Sequence, residues 1–224
     1  MKKEKPFDKW TEEEVQIVFG LEKIENLPFL NDWLSTQYIL PDYKQIVIEG
    51  LCFRLQKNYA YWTQNELIIY FIAPFLSLVD YWGYYYQTFN QVFIQHKVQG
   101  INMHGQVATL LSYKNKQIGL RYFFILHYAS IVKKNHDGLG QILAAMLTAQ
   151  AINKHNYALL GCFVVGNNWQ FVVLLGNKYA VSPVYIATNP EELLCIYAAL
   201  DAVKLRAKQQ MSLVFEEINP KKKK

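Results

Sequence analysis

The chain has 224 residues, 52% of them hydrophobic and 18% charged, with a mean hydropathy of −0.02. That balance suits one large domain, or one domain with a helical extension, around a well-packed globular core. The formal net charge is +5, but seven lysines at the two ends (Lys2, Lys3, Lys5, Lys221, Lys222, Lys223 and Lys224) more than supply it. The excess therefore belongs to solvated termini and is a weak argument for a nucleic-acid-binding face.

Residues 1–10 read as a loose start. Thr11 and Glu14 form a capping box opening a helix with Val15, Ile17, Val18 and Phe19, which Gly20 weakens or ends. A short helix over about 27–35 presents Phe29, Leu30, Trp33 and Leu34. Asp42 is expected to cap a longer helix reaching about residue 57, with Ile46, Val47, Gly50, Leu51 and Leu55 on one side and Arg54 as the exception. Thr63 and Glu66 form a second capping box before a helix over 64–79, which Pro74 is expected to kink. The apolar run 67–82 includes that proline and is flanked by Glu66 and Asp80. It predicts a buried helix rather than a bilayer span.

From Tyr84 the signal changes to β. Residues 84–86, 91–95, 106–112 and 122–128 lack a helical stripe and are rich in β-formers, with a turn over 114–119. A helix over about 139–154 carries Ile142, Leu143, Met146 and Leu147 with small alanines for close packing. Strands over 159–165, 169–175 and 179–184 follow, joined by Gly166-Asn167-Asn168 and Gly176-Asn177-Lys178 as a meander. Asn189, Pro190 and Glu192 open the last helix. This order predicts an α+β sandwich: a mixed sheet of about six strands flanked by helices. The expected division is a helical N-terminal extension (1–60), a main domain (61–210) and a basic tail (211–224).

Cys52, Cys162 and Cys195 are scattered, without CxxC spacing, and predict reduced, buried thiols in a cytoplasmic protein. No apolar segment follows the N-terminal lysines, so no signal peptide is expected. Aromatics reach 15%, with 16 tyrosines, for which burial with a satisfied hydroxyl is the expected state.

Several blocks stand in register: Asn65-Glu66-Leu67, His127-Tyr128-Ala129-Ser130, Asp137-Gly138-Leu139-Gly140-Gln141, Leu143-Ala144-Ala145-Met146 and Leu160-Gly161-Cys162-Phe163-Val164-Val165-Gly166. Trp169-Gln170-Phe171 and Tyr179-Ala180-Val181-Ser182 continue them. Together they resemble an uncharacterised bacterial group within the PD-(D/E)XK nuclease superfamily, over about residues 62–205. The resemblance implies a restriction-endonuclease-like core of helix, three strands, helix and returning strand. It also implies an Asp on one strand and Glu-x-Lys on the next, which hold Mg²⁺ and an attacking water at a phosphodiester.

Here those positions read Ala108, His127 and Ala129. Ala108 and Ala129 lack ligand atoms, and an imidazole is a poor ligand for a hard cation. Glu66 and Gln141 match the accessory helix positions, and one carboxylate holds hydrated Mg²⁺ only weakly. The expectation is therefore a catalytically inactive nuclease-like protein, with no metal or cofactor, acting through protein or nucleic-acid binding, and with no membrane association. Arg54, Arg121, Lys133 and Lys134 are the candidate phosphate contacts. A homodimer is a further expected partner, with Trp10, Phe29, Trp33 and Tyr38 either covering the core or mediating self-association. The alternative is an active Mg²⁺-dependent nuclease with a migrated site drawing on Asp80 or Asp137. Asp137 also fits the start of a helix, where capping is its expected role. His104, His127 and His136 have no zinc-ligand spacing and are expected to be unrelated.

Overall fold

The computed structural model describes residues 4–36, 38–83, 86–113, 122–129, 137–154 and 157–218. Within them the chain is an α+β sandwich: one mixed sheet with helices on both faces. Its long strands are β3 (Tyr86–Val98), β4 (Ile101–Tyr113), β5 (Tyr122–Ala129), β6 (Leu159–Val165), β7 (Asn168–Leu175) and β8 (Lys178–Val181). Three short strands, β1 (Glu4–Pro6), β2 (Glu22–Lys23) and β9 (Tyr185–Ile186), bring the sheet to nine strands. These short strands carry too few residues for a period-2 pattern, which is why about six strands were expected.

The order along the sheet is β1-β4-β5-β6-β7-β8-β2, with β3 also on β4 and β9 on β7. Strands β3, β4 and β5 form an antiparallel meander, and β6 returns parallel to β5. That parallel return needs a crossover, which helix α6 (Gly138–Asn153) supplies. The β3–β4 hairpin turns on Gln99 and Gly100, both at positive φ (44° and 89°), as a tight two-residue loop requires.

One face of the sheet carries α2 (Pro28–Leu34), α3 (Asp42–Asn58), α4 (Gln64–Leu67), α5 (Ala73–Val79) and α7 (Pro190–Ile218). Between α4 and α5 the helical run passes through a π-helical turn, Ile68–Ile72, immediately before Pro74. The expected proline irregularity thus takes the form of an inserted wide turn. The core under this face gathers Trp33, Phe71, Phe75, Phe124, Trp169, Phe171 and Tyr197. The opposite face carries α1 (Glu12–Phe19) and α6, packed on Val107, Ile125, Phe163, Val172 and Tyr179.

Three expectations are corrected. The start is ordered, not loose: β1 pairs with β4, a 3-10 turn (Phe7–Lys9) follows, and Phe7 and Trp10 are buried. Apolar residues that close β1 and follow the turn fix it against β4 and α6. Helix α3 buries Ile48, Leu51, Cys52 and Leu55, while Ile46, Val47, Gly50 and Arg54 face out. Cys195 is exposed, unlike Cys52 and Cys162. The aromatics Trp10 and Trp33 are buried, and Phe29 and Tyr38 pack half-buried against the core, so they cover it. No helix among the described residues is long and apolar enough to cross a membrane.

Candidate functional site

Strands β4 and β5 carry the first two vestigial positions but turn them to opposite faces of the sheet. The β4–β5 register runs to Thr109 and Leu126, and Ala108 and His127 are the next residue of each strand beyond that pair. On its other side His127, half-buried, lies opposite Phe163 of β6. Alternation puts His127 on the same face as Ile125, the face that α6 covers. Ala129 closes β5, opposite Val165. Gln141, in the second turn of α6, is buried, and its Oε1 has no hydrogen-bond partner among the described residues.

The carboxylates of Glu66 and Asp137 are committed to helix starts. Glu66 stands at the third position of α4, where its Oε2 accepts from the Thr63 backbone N–H (2.8 Å) and the Thr63 hydroxyl (2.7 Å). Thr63 Oγ1 in turn accepts from the Glu66 N–H, completing the capping box. The Thr63 N–H and hydroxyl hold the Glu66 carboxyl below its ordinary range, and the side chain is exposed. Asp137 caps α6, its Oδ1 accepting from Gly140 N–H (2.9 Å). Its Oδ2 accepts from Glu12 N–H (2.5 Å), so one carboxylate serves the first turns of two helices. Capping is thus the role Asp137 has, as its sequence position suggested.

The other wall of β4 opens into a cavity of about 450 Å³ between the strand and the π turn–α5 segment. Ala108 and Thr109 line it, with Asn90 and Gln91 from β3, Tyr128 from β5, and Asp80, Tyr81 and Trp82 from the end of α5. Asn90 lies opposite Thr109, and the Thr109 hydroxyl donates to Asn90 Oδ1 (3.0 Å). Burial pushes the Tyr128 phenol up, against a lowering hydrogen bond with Thr109. Asp80 ends α5 in the left-handed region (φ 58°), and Gln91 interrupts the β3–β4 pairing at φ 53° without shifting its register; both line this cavity. Non-glycine residues at positive φ are uncommon and collect where structure serves a site. Among the described residues the cavity lining holds one carboxylate and no lysine or arginine. Sequence reasoning had singled out Asp80 but missed Asn90, Gln91, Thr109 and Tyr128. The Asp80-Tyr81-Trp82 run closing a helix was the signal within reach.

A second cavity shares Asp80 and Trp82 and adds Asp201, Lys204 and Lys208 of α7. Lys204 is already paired there, with Asp201 (2.5 Å) and with the Val79 carbonyl (2.8 Å). Among the phosphate-contact candidates, Arg54 lies exposed on α3 and lines neither cavity. Arg121, Lys133 and Lys134 lie outside the described residues, as does His136. His104 sits on β4 at the β1 edge, 3.4 Å from Glu4 and against the Phe93 ring, four residues from Ala108. Among the described residues no three His, Cys, Asp or Glu side chains come together as a metal-binding group. No protein-family model matches the chain, and no curated protein matches it.

Proposed function

We propose that this chain is a PD-(D/E)XK-type nuclease scaffold that has lost its metal site and acts by binding. The observation that carries the reading is the path of the chain. A helical segment (64–79), an antiparallel β3–β4–β5 meander, the α6 crossover and a parallel β6 follow the order that the resemblance implies. At the positions where the resemblance calls for two carboxylates stand Ala108 and His127, one step beyond the Thr109–Leu126 pair. Asp137 and Glu66 are held by helix-capping hydrogen bonds. A protein partner is favoured over nucleic acid, because among the described residues no cation lines the cavity beside Ala108 to meet a phosphate.

A second reading has one observation in its favour: Asp80 lines the same cavity as Ala108, so a migrated Mg²⁺ site would draw on it. One assay separates the two. Cleavage of single- and double-stranded DNA and RNA is followed with Mg²⁺ and Mn²⁺ for the natural chain, for Asp80→Ala, and for Ala108→Asp/His127→Glu/Ala129→Lys. The expected result is a silent natural chain and a triple variant that cuts. Cutting by the natural chain that Asp80→Ala abolishes would overturn the binding-only reading.

A further inference from the structure

Helix α3 has two apolar sides, and only one is used within the chain. Ile48, Leu51, Cys52 and Leu55 face the core. On the opposite side Tyr43 (64% exposed), Ile46 (69%), Val47 (43%) and Phe53 (62%) stand in solvent. At about 100° per residue they all fall within about 60° of Gly50, whereas the buried set lies about 100–160° from it. A Cβ built on Gly50 meets nothing within 4 Å. A contiguous apolar stripe of this kind marks an interaction surface rather than the scattered exposure of ordinary surfaces.

We propose that α3 packs antiparallel against α3 of a second copy, with the two-fold axis beside Gly50. The stripe is self-complementary in that arrangement. Gly50 meets Gly50 and lets the helices approach closely. Ile46 lies against Phe53 of the second copy, and Asp42 lies against its Lys57. Tyr43 and Val47 receive the guanidinium and aliphatic stem of its Arg54. Outward charge is segregated to match: Asp42 and Glu49 occupy the first half of the helix, Arg54 and Lys57 the second. Lys44, the one cation in the first half, is turned inward, its Nζ donating to the Leu78 carbonyl and the Tyr197 hydroxyl (both 2.8 Å). Antiparallel packing also sets each helix dipole against the other.

The balance of two acids and two bases argues against other occupants. A helix lying on a membrane carries a polar face rich in Lys and Arg, and a nucleic-acid contact needs a basic stripe. A helix pair of this length buries on the order of 1,000 Å², near the lower bound for a specific interface. The dimer is therefore reversible, dissociating on dilution. This inference does not rest on the nuclease-like reading. It gives Arg54 a protein contact in place of a phosphate contact.

The test is sedimentation of the full chain across a concentration series. The expected result is a species of twice 26.2 kDa that falls to the single-chain mass on dilution. Ile46→Glu and Phe53→Glu should each abolish it while leaving the far-UV circular dichroism unchanged. In a Cys195→Ser background, Gly50→Cys should form an intermolecular disulfide under mild oxidation. Asp42→Cys should not link to itself but should link to Lys57→Cys when the two are mixed. A chain that is monomeric at every concentration overturns the proposal, as does a dimer that survives Ile46→Glu. A monomer that binds vesicles of anionic phospholipid through this face overturns it in favour of a membrane contact. Loss of the dimer in Ile46→Glu without the Gly50→Cys link overturns the antiparallel arrangement.

Discussion

Helices α3 and α6 differ in length by one residue, 17 against 16, yet they stand at opposite ends of the range of burial. Twelve residues of α6 are buried, on every side of the helix, because it lies against the sheet with α1 and the Phe7–Lys9 turn packed over it. Only four residues of α3 are buried. The contrast shows where a sequence is free to carry function. Most positions of α6 answer to a packed neighbour, and its cap Asp137 and its last residue Asn153 are spent on backbone groups. Asn153 bridges Tyr122 N–H (2.8 Å) and Tyr122 carbonyl (2.6 Å). In α3 the other thirteen positions are half-buried or exposed, and they nevertheless keep an apolar stripe.

The largest effect is expected at the centre of α6. Leu143 is fully buried among close-packed neighbours. Leu143→Ala should therefore cost about 3–5 kcal/mol, the loss of transferred methylenes plus the cavity left behind. Urea unfolding should show a lower midpoint at unchanged slope. A loss below about 1 kcal/mol would mean that α6 is not the close-packed element the burial describes.

Next in size is the shared cap. Asp137→Ala removes the acceptor for Gly140 N–H and for Glu12 N–H at once. One lost cap costs about 1 kcal/mol, so loss at two helix starts should approach about 2 kcal/mol. Asp137→Asn keeps one oxygen for Gly140 and should recover part of it. If Asp137 instead served a migrated metal site, its substitution would remove Mg²⁺-dependent cleavage with little change in unfolding.

The same two helices show what could be read from sequence. The capping boxes at Thr11–Glu14 and Thr63–Glu66 are local chemistry spelled out within four residues, and both are present in the fold. The β6–β7–β8 meander was equally legible, because Gly166 and Gly176 supply the positive φ its turns need. The order of helices and strands followed from hydrophobic period, which fixed the α+β class. The face of α3 did not, because an amphipathic helix with two apolar sides gives the same period for either one. The period suits Ile46 and Val47 for the core, where Ile48 and Cys52 lie. Nor did β1 and β2 announce themselves, since two- and three-residue strands are made by partners distant in sequence. The candidate site was legible only where resemblance named positions. It named Ala108 and His127, which stand one step beyond the Thr109–Leu126 pair, but the cavity beside Ala108 depends on Gln91 and Asp80, both at positive φ. Neither conformation has a reliable sequence signature in a non-glycine residue.

The smallest expected effect is the sharpest test of the comparison, because it sets two isoleucines of one helix against each other. Ile48 is 1% exposed and Ile46 is 69% exposed. Ile48→Ala should cost about 2–5 kcal/mol whatever the protein concentration, since its methylenes leave a packed core. Ile46→Ala in dilute solution should cost less than about 0.5 kcal/mol, the range of ordinary surface substitutions. If α3 pairs with a second copy, the natural chain gains stability by mass action as concentration rises, while Ile46→Ala gains less. The gap between the natural chain and Ile46→Ala should therefore widen with concentration, and the gap for Ile48→Ala should not. Thermal unfolding over a hundredfold dilution reads both. A constant, near-zero gap for Ile46→Ala would leave α3 a helix whose outer apolar stripe meets only water.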